Sequence, residues 1–501
     1  MILSKNKSIN LSFCRSIHFN RSSLLIPSFN QEVTKLKSDA KKQLKDNETS
    51  SVSHAILENN GFISDSGSGL TTHLPLGKRV LNKLINLIRS EMNKIQGQEI
   101  EMPSLSDLNL WTLTGRNELM GSELFRLKDR KDKELCLCPT HEEIVTNLVS
   151  KYSKSISSEC IGDQKSLRLY QITRKYRDES RPKHGLLRSR EFLMKDMYTF
   201  HTSEESVEQT YNDVCKAYET IFDRLNLEYK KATASCGSMG GKLSHEYHVQ
   251  ASVGEDKIFT CKNCSKSISI DLISEENQKN LKQNELCSVI NCSNELNLNE
   301  KNSSKVIKYE KCIEIGHTFV LGDRYTKFFK VNLEKSSNVV MGCYGIGVSR
   351  LMQACVESNN INNIYPNWPI DIAPFQIAVI PAKIGSKEEE KSQILVKYLT
   401  DMFDGSVFKD DVLVDDRNWM TIGSRLIDCK LIGVPISVVL GKCIHDEQVE
   451  IVINSESLKE VLGKDKLNCH TRETAIVLKQ LINDYSYMKK DKKLFNYFKN
   501  N

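Results

Sequence analysis

The sequence predicts an α+β fold followed by a separate C-terminal α/β unit. Three observations carry that expectation. First, residues 171–196 (QITRKYRDESRPKHGLLRSREFLMKD) read as strand–loop–strand, with apolar runs on either side of a Gly/Pro-punctuated loop. Second, residues 80–95 and 202–226 place their apolar side chains at helical spacing. Third, short apolar strands alternate with helical stretches from Ile372 onward, the pattern of a small α/β domain. A chain of 501 residues is too long for one core, and about two to four domains are expected.

Composition narrows the class. Hydrophobic residues make up 39% and charged residues 27%, the balance of an ordinary soluble globular protein. No run approaches the roughly 18 apolar residues of a membrane helix, so no membrane partner is expected. The net charge of +6 permits a polyanionic partner without demanding one. Residues 1–31 differ from the rest: they hold Lys5, Lys7, Arg15, Arg21 and seven serines, and no acid precedes Glu32. That is the composition of a transit peptide, mitochondrial in preference to plastid, and the lack of an apolar core argues against a secretory signal. The sixteen cysteines are scattered rather than framed, as expected of buried thiols in a reducing compartment.

The elements follow in order. Residues 32–50 are polar and Lys-rich, a linker or short helix. Val80, Leu81, Leu84, Ile85, Ile88, Met92 and Ile95 share one helical face, and a strand over 98–103 is stopped by Pro103. The hairpin comes next, then a helix over 202–226 for which Thr202 and Glu205 form a capping box. Residues 265–308 are rich in Asn, Ser, Lys and Glu and read as a poorly packed insertion. Pattern resumes at Cys312, and a helix begins near Val348. The C-terminal unit reads as strand 375–381, helix 388–403, strand 412–414, helix 421–432, and strands 436–440 and 449–453.

Four motifs could carry chemistry. The hairpin loop holds Arg177, Glu179, Arg181, Lys183, Arg188 and Arg190, and arginine forks match phosphate oxygens two at a time. Thr140 and Glu142 lie two apart, so in an extended loop both can face an ammonium group; Thr140 could equally cap the helix that follows. Gly342, Gly345 and Gly347 allow a ligand close to the backbone, with Arg350 in the first turn of the next helix. Cys261-x-x-Cys264 and Cys287-x4-Cys292 have zinc-like spacing, but the residues between them are polar and unpatterned, and no metal is assigned there. A zinc-protease reading of His245-Glu246-Tyr247-His248 fails, because the histidines are three apart rather than four.

The order Arg177-x-Glu179, arginine-rich loop, Phe192-x-x-x-Asp196 resembles motif 2 of class II aminoacyl-tRNA synthetases. The helix and strand ending at Pro103 resemble motif 1, an element of the dimer interface in that family, and 342–350 (GCYGIGVSR) resembles motif 3. The wording of 138–143, 185–201 and 342–350 resembles the bacterial-type prolyl-tRNA synthetases, over about residues 50–455. The resemblance implies an antiparallel sheet flanked by helices over 50–370, with a reduced insertion at 261–311, and an anticodon-binding domain over 371–501. It implies ATP and Mg2+, proline, tRNA(Pro), a homodimer and the mitochondrial matrix. In this reading Arg177 and Arg350 are catalytic. Arg177, Glu179, Arg188, Phe192, Gly347 and Arg350 hold ATP; Thr140, Glu142, Arg177, His317 and Cys343 hold proline. Asp416, Arg417 and Arg425 would contact the anticodon, although the family's run Asp-Asp-Arg-x-x-x-x-Gly-x-Lys ends here in Arg425. The short insertion implies no editing domain. The alternative is a non-catalytic, synthetase-like nucleic-acid-binding accessory protein, which would lose the phosphate-gripping residues present here.

Overall fold

The computed structural model describes residues 19–25, 51–153, 156, 166–261, 265–273, 307–333, 338–359 and 364–490. Much of the expected insertion, with Cys264, Cys287 and Cys292, lies outside the described residues, as do 26–50 and most of the expected transit segment. The chain divides into two compact units, Ile26–Ala373 and Pro374–Asn501, and the residues up to Leu25 belong to the second.

The first described element, β1 (Phe19–Asn20), therefore belongs to the C-terminal unit. The other unit opens with a helix, Val52–Asn59, capped by Ser51, and the hairpin β2 (Ile63–Gly67) and β3 (Leu70–His73). The helix Pro75–Lys94 follows, with proline at its start, where a missing N–H costs nothing. It buries Val80, Leu81, Leu84, Ile88 and Met92 as the periodicity requires. Gly77 lets its first turn touch the Phe62 carbonyl: a Cβ there would sit 2.0 Å from that oxygen. Gly77→Ala is thus expected to cost about 1–3 kcal/mol, read as a lower denaturant midpoint; an unchanged midpoint would contradict the packing.

After β4 (Gln98–Glu99) come three short paired strands, β5 (Leu105–Asp107), β6 (Arg126–Lys128) and β7 (Glu134–Leu137). The predicted hairpin is β8 (Ser166–Tyr176) and β9 (Glu191–His201), antiparallel with Gln171 opposite Asp196. Ser203, not Thr202, caps the next helix, Glu204–Arg224, by accepting from the Ser206 N–H. Then come β10 (Tyr229–Thr233), β11 (Leu243–Gln250), β12 (Asp256–Cys261), β13 (Ser267–Ser269), β14 (Ile307–Gly322) and β15 (Val340–Gly347), which leads into the helix Val348–Asn359. The nine-stranded order is β11-β10-β13-β12-β14-β15-β9-β8-β4, closed by a β11–β14 pairing. Its long central strands are antiparallel; β4–β8 and β10–β13 are parallel.

The register puts two sets of side chains on opposite faces. Phe192, Met194, Asp196 and Tyr198 share one face with Cys343, Gly345 and Gly347, and with His317 and Phe319. The other face carries Lys195, Thr199, Tyr344 and Thr318. Helix Glu204–Arg224 packs there through Tyr211 and Tyr218: Tyr211 bonds Thr318 at 2.8 Å, and Tyr218 accepts from the Lys195 ammonium. One face is thus sealed and the other is free to be shaped as a site.

The C-terminal unit holds β16 (Ile377–Ile380), β17 (Val412–Val414), β18 (Ile436–Val439), β19 (Gln448–Ile453) and β20 (Lys466–His470), in the order β1-β17-β16-β18-β19-β20. β16, β17 and β18 are parallel and almost wholly apolar, as strands covered on both faces must be. Among the described residues no helix is long and apolar enough to cross a membrane.

Candidate active site

The floor of the site is the open face of β8, β9, β15 and β14. Gly342 is required by packing alone, since a Cβ there would lie 2.2 Å from the Tyr344 hydroxyl. Gly345 and Gly347 are different. Their Cβ positions meet nothing closer than 3.9 and 3.5 Å, so the protein leaves room above them for something else. Gly347 and Arg350 belong to the same strand-to-helix turn, as the sequence predicted.

At one end stands the Thr140-x-Glu142 loop. His141, not Thr140, occupies the cap position of the helix Glu142–Tyr152. Thr140 instead turns its hydroxyl onto both oxygens of Glu142, at 2.8 Å each. Glu142 also accepts from the Cys343 thiol at 3.3 Å and from Arg116 at 2.9 Å. The loop is held from below: Tyr198 accepts from the His141 N–H at 2.8 Å and donates to Asp196, also at 2.8 Å. Asp196 is further bound by Gln171 at 2.9 Å and Lys175 at 2.8 Å. Glu142, Asp196 and Lys175 are all buried. A carboxylate fixed this firmly, with a hydroxyl beside it, is suited to a substrate ammonium. Burial pushes the Cys343 thiol well above its ordinary range, as does neighbouring Glu142. A buried thiol donating to Glu142 has little thiolate character.

At the other end the arginines gather. Arg177 leaves the end of β8, with its backbone N–H on the Arg190 carbonyl at 2.9 Å and its guanidinium 5.3 Å from the Phe192 ring centroid. Its buried Nε has no hydrogen-bond partner. Burial, and then the nearby Arg350 charge, lower its pKa below the ordinary guanidinium value. Among the described residues Arg177 is thus a cation with no acid paired to it. Arg350 is held by the Leu187 carbonyl at 3.0 Å and by Glu314 at 3.1 Å.

Glu179 and Arg188 pair with each other at 2.8 Å, and Arg188 also bonds Glu255. The pair with Arg188 holds the Glu179 carboxyl below its ordinary range. Both residues were expected to hold ATP. Here they are bonded to one another, so a distal phosphate would have to draw Arg188 from its acids. His317 sits between the two ends, stacked on Phe319 at 3.9 Å and bonded to Ser244 at 2.6 Å and Glu314 at 3.2 Å.

Three residues with evident roles were not singled out from the sequence. Arg116 lies 26 residues before Glu142, on a short helix with no periodic signal, and only the fold brings them together. Glu246 entered only through the rejected zinc-protease spacing, and Glu314 had no role. Ligand atoms of Glu246, Glu314 and His317 all lie within 4.8 Å of one another. Interaction with His317 and Arg350 keeps Glu314 far below the usual carboxylate range, although burial, the largest single effect, opposes it.

The C-terminal candidates are placed otherwise than expected. Arg425 is fully buried, donating to the Asp415 carbonyl at 3.1 Å and the Pro381 carbonyl at 2.5 Å. It ties two strand ends together and presents nothing to a nucleic acid. Arg417 bonds Asp415 and Asp428 at 2.6 Å each, and Asp416 accepts from Ser22 at 2.9 Å. Of the four cysteines with zinc-like spacing only Cys261 is described, buried in β12.

Comparison with known proteins gives the following. Residues 125–359 match the family model of the tRNA synthetase class II core domain (G, H, P, S and T). A probable mitochondrial proline–tRNA ligase of Rattus norvegicus is 40% identical over 407 residues, 80% of each chain. Its counterpart from Homo sapiens is 39% identical over 413 residues, 81% of each. A proline–tRNA ligase of Anaplasma phagocytophilum is 36% identical, covering 83% of this chain and 94% of its own. Among solved structures, Giardia lamblia prolyl-tRNA synthetase in complex with prolyl-adenylate shares the fold, with a TM-score of 0.66 at 17% identity over 91% of this chain and 81% of that one.

Proposed function

Since this chain belongs to the prolyl-tRNA synthetases, proline–tRNA ligases built on the class II core, we propose that its open sheet face activates proline as follows. The observation that carries the reading is the opposition of a fixed carboxylate, Glu142, to Arg177, whose buried Nε has no partner, on one glycine-floored face. Thr140 and Glu142 receive the secondary ammonium of proline, and Cys343 and His317 flank the ring. Arg177 meets the proline carboxylate and the α-phosphate of ATP. That carboxylate attacks the α-phosphorus, the bond to the bridging oxygen breaks, and pyrophosphate leaves with the electron pair. Two anions meet in this step and no proton moves. The chain's task is positioning and charge cancellation, supplied by Arg177 and Arg350. Phe192 offers a stacking face to adenine, and Glu179 lies at its edge. In the second step the 3′ end of tRNA(Pro) takes the prolyl group and AMP departs.

Glu246 and Glu314 fit a magnesium ion that arrives with ATP, since magnesium takes oxygen ligands and is usually held by one or two carboxylates plus phosphates. When bound, it neutralises phosphate charge. The imidazole of His317 suits it less and is better used against proline.

The names of the relatives support a mitochondrial setting, and the acid-free basic start of the chain agrees with the matrix. A homodimer is the expected assembly. Proline-dependent ATP–pyrophosphate exchange tests the reading: activity is expected, and its absence would favour the accessory-protein alternative. The short stretch at 261–311 predicts no editing in cis. Purified protein should leave alanyl-tRNA(Pro) intact at the rate of the no-enzyme control, and rapid deacylation would refute this.

A further inference from the structure

The segment expected to be discarded on import is partly built into the fold. β1 pairs in parallel with β17, Phe19 opposite Leu413 and Asn20 opposite Val414. The Phe19 ring meets buried Phe375 at 5.5 Å. Arg21 is 4% exposed and grips Asp428 two-pronged, Nε to Oδ2 at 2.8 Å and Nη2 to Oδ1 at 3.2 Å. Ser22 donates its N–H and its hydroxyl to Asp416. The strand pairing and the Arg21 grip both fall on buried groups. Val412, Leu413 and Val414 are all buried, and without β1 they would form an apolar strand at the open edge of the sheet, which proteins avoid. Asp428 is itself buried, and its other cation, Arg417, is shared with Asp415, so without Arg21 one guanidinium would serve two acids.

We propose that the targeting segment ends before Phe19 and that residues 19–25 remain on the mature protein as an arm whose first two residues form the edge strand of its C-terminal unit. The charge pattern agrees. Lys5, Lys7 and Arg15 already provide cations without acids ahead of Phe19. Arg21, counted with them from the sequence, is spent inside the fold instead. The same strand occupies Asp416 and, through Asp428, backs Arg417. Two of the three residues expected to meet the anticodon therefore belong to the seam that holds the arm.

The processing part rests on the mitochondrial reading; the structural part does not, and two measurements separate them. The full chain is imported into isolated mitochondria and its mature N-terminus read by mass spectrometry. A start at or before Phe19 is expected, and a start beyond Phe19 overturns the proposal. No import at all would count against the mitochondrial reading, leaving the second measurement to decide. In that measurement, chains starting at residue 18 and at residue 26 are compared with full-length Arg21→Ala and Arg21→Lys by thermal unfolding. The chain from 18 should melt with the full chain. The chain from 26 and Arg21→Ala should melt lower by about 3 °C or more, with Arg21→Lys recovering part of the loss. Equal melting of the chains from 18 and 26 would overturn the proposal. If the chain from 26 does not fold, Arg21→Ala decides: an unchanged transition refutes the seam.

Discussion

Arg177→Ala is expected to lower proline-dependent ATP–pyrophosphate exchange by about 10²–10³-fold, the usual cost of losing one group aimed at charge that develops in a transition state. The geometry says why this arginine rather than its neighbours. Arg188 is paired with Glu179 and Glu255, and Arg190 with Asp178. Arg177 makes no ion pair among the described residues; it rests on the Phe192 ring with its Nε unsatisfied. Burial first and Arg350 second lower its pKa below the ordinary guanidinium value. The loss should fall mainly on kcat, because repulsion between carboxylate and phosphate is greatest in the transition state. Arg177→Lys should recover only part of the rate, since a point charge cannot bridge two oxygens of different groups as a planar fork does. An alanine variant with an unchanged exchange rate would remove Arg177 from the mechanism.

Legibility in the sequence followed the range of the interaction. The hairpin, the two long helices and the glycine turn into the Val348–Asn359 helix are local patterns, and each could be read from spacing. Phe192, Cys343 and Gly347 meet on one floor through the β9–β15 register, a pairing across the chain that the motif wording implied only by resemblance. What could not be read was partnership across the chain. Thr140 is spaced like a helix cap, yet its hydroxyl is spent on Glu142. Arg425 is spaced like a nucleic-acid contact, yet two carbonyls more than 30 residues apart in sequence claim it. Arg21 looked like one more charge in a basic leader, and its acid lies 407 residues away. In each case a local preference was overruled by a buried partner that no window of sequence contains.

The same overruling governs the second large effect, at Arg116. Glu142 and Glu143 are adjacent, both wholly buried, and among the described residues Arg116 alone bridges them, at 2.9 Å and 3.1 Å. It is itself 1% exposed, with its guanidinium 5.0 Å from the Trp111 ring centroid. Two adjacent carboxylates share one guanidinium here, and on the proposed reading the ammonium of proline adds a second cation. Arg116→Ala should therefore cost about 3–5 kcal/mol of stability and raise the KM for proline. The direction with pH follows from Glu143. Burial raises its carboxyl pKa and Arg116 opposes the rise, so removing Arg116 lets it climb further. Above the ordinary carboxylate value the folded state then keeps a proton that the unfolded state has released, and stability falls as pH rises. The defect should accordingly be mild near about pH 5 and grow toward about pH 8. Adding Glu143→Gln removes the second buried charge, and it should restore much of the stability and flatten the slope. Glu142 would then stand without a cation, so the KM for proline would not recover with the fold. Denaturant melts of the two variants across pH decide the matter: a single variant as stable as the parent at every pH would mean that the pocket tolerates two bare carboxylates, and the charge argument for proline would fall with it.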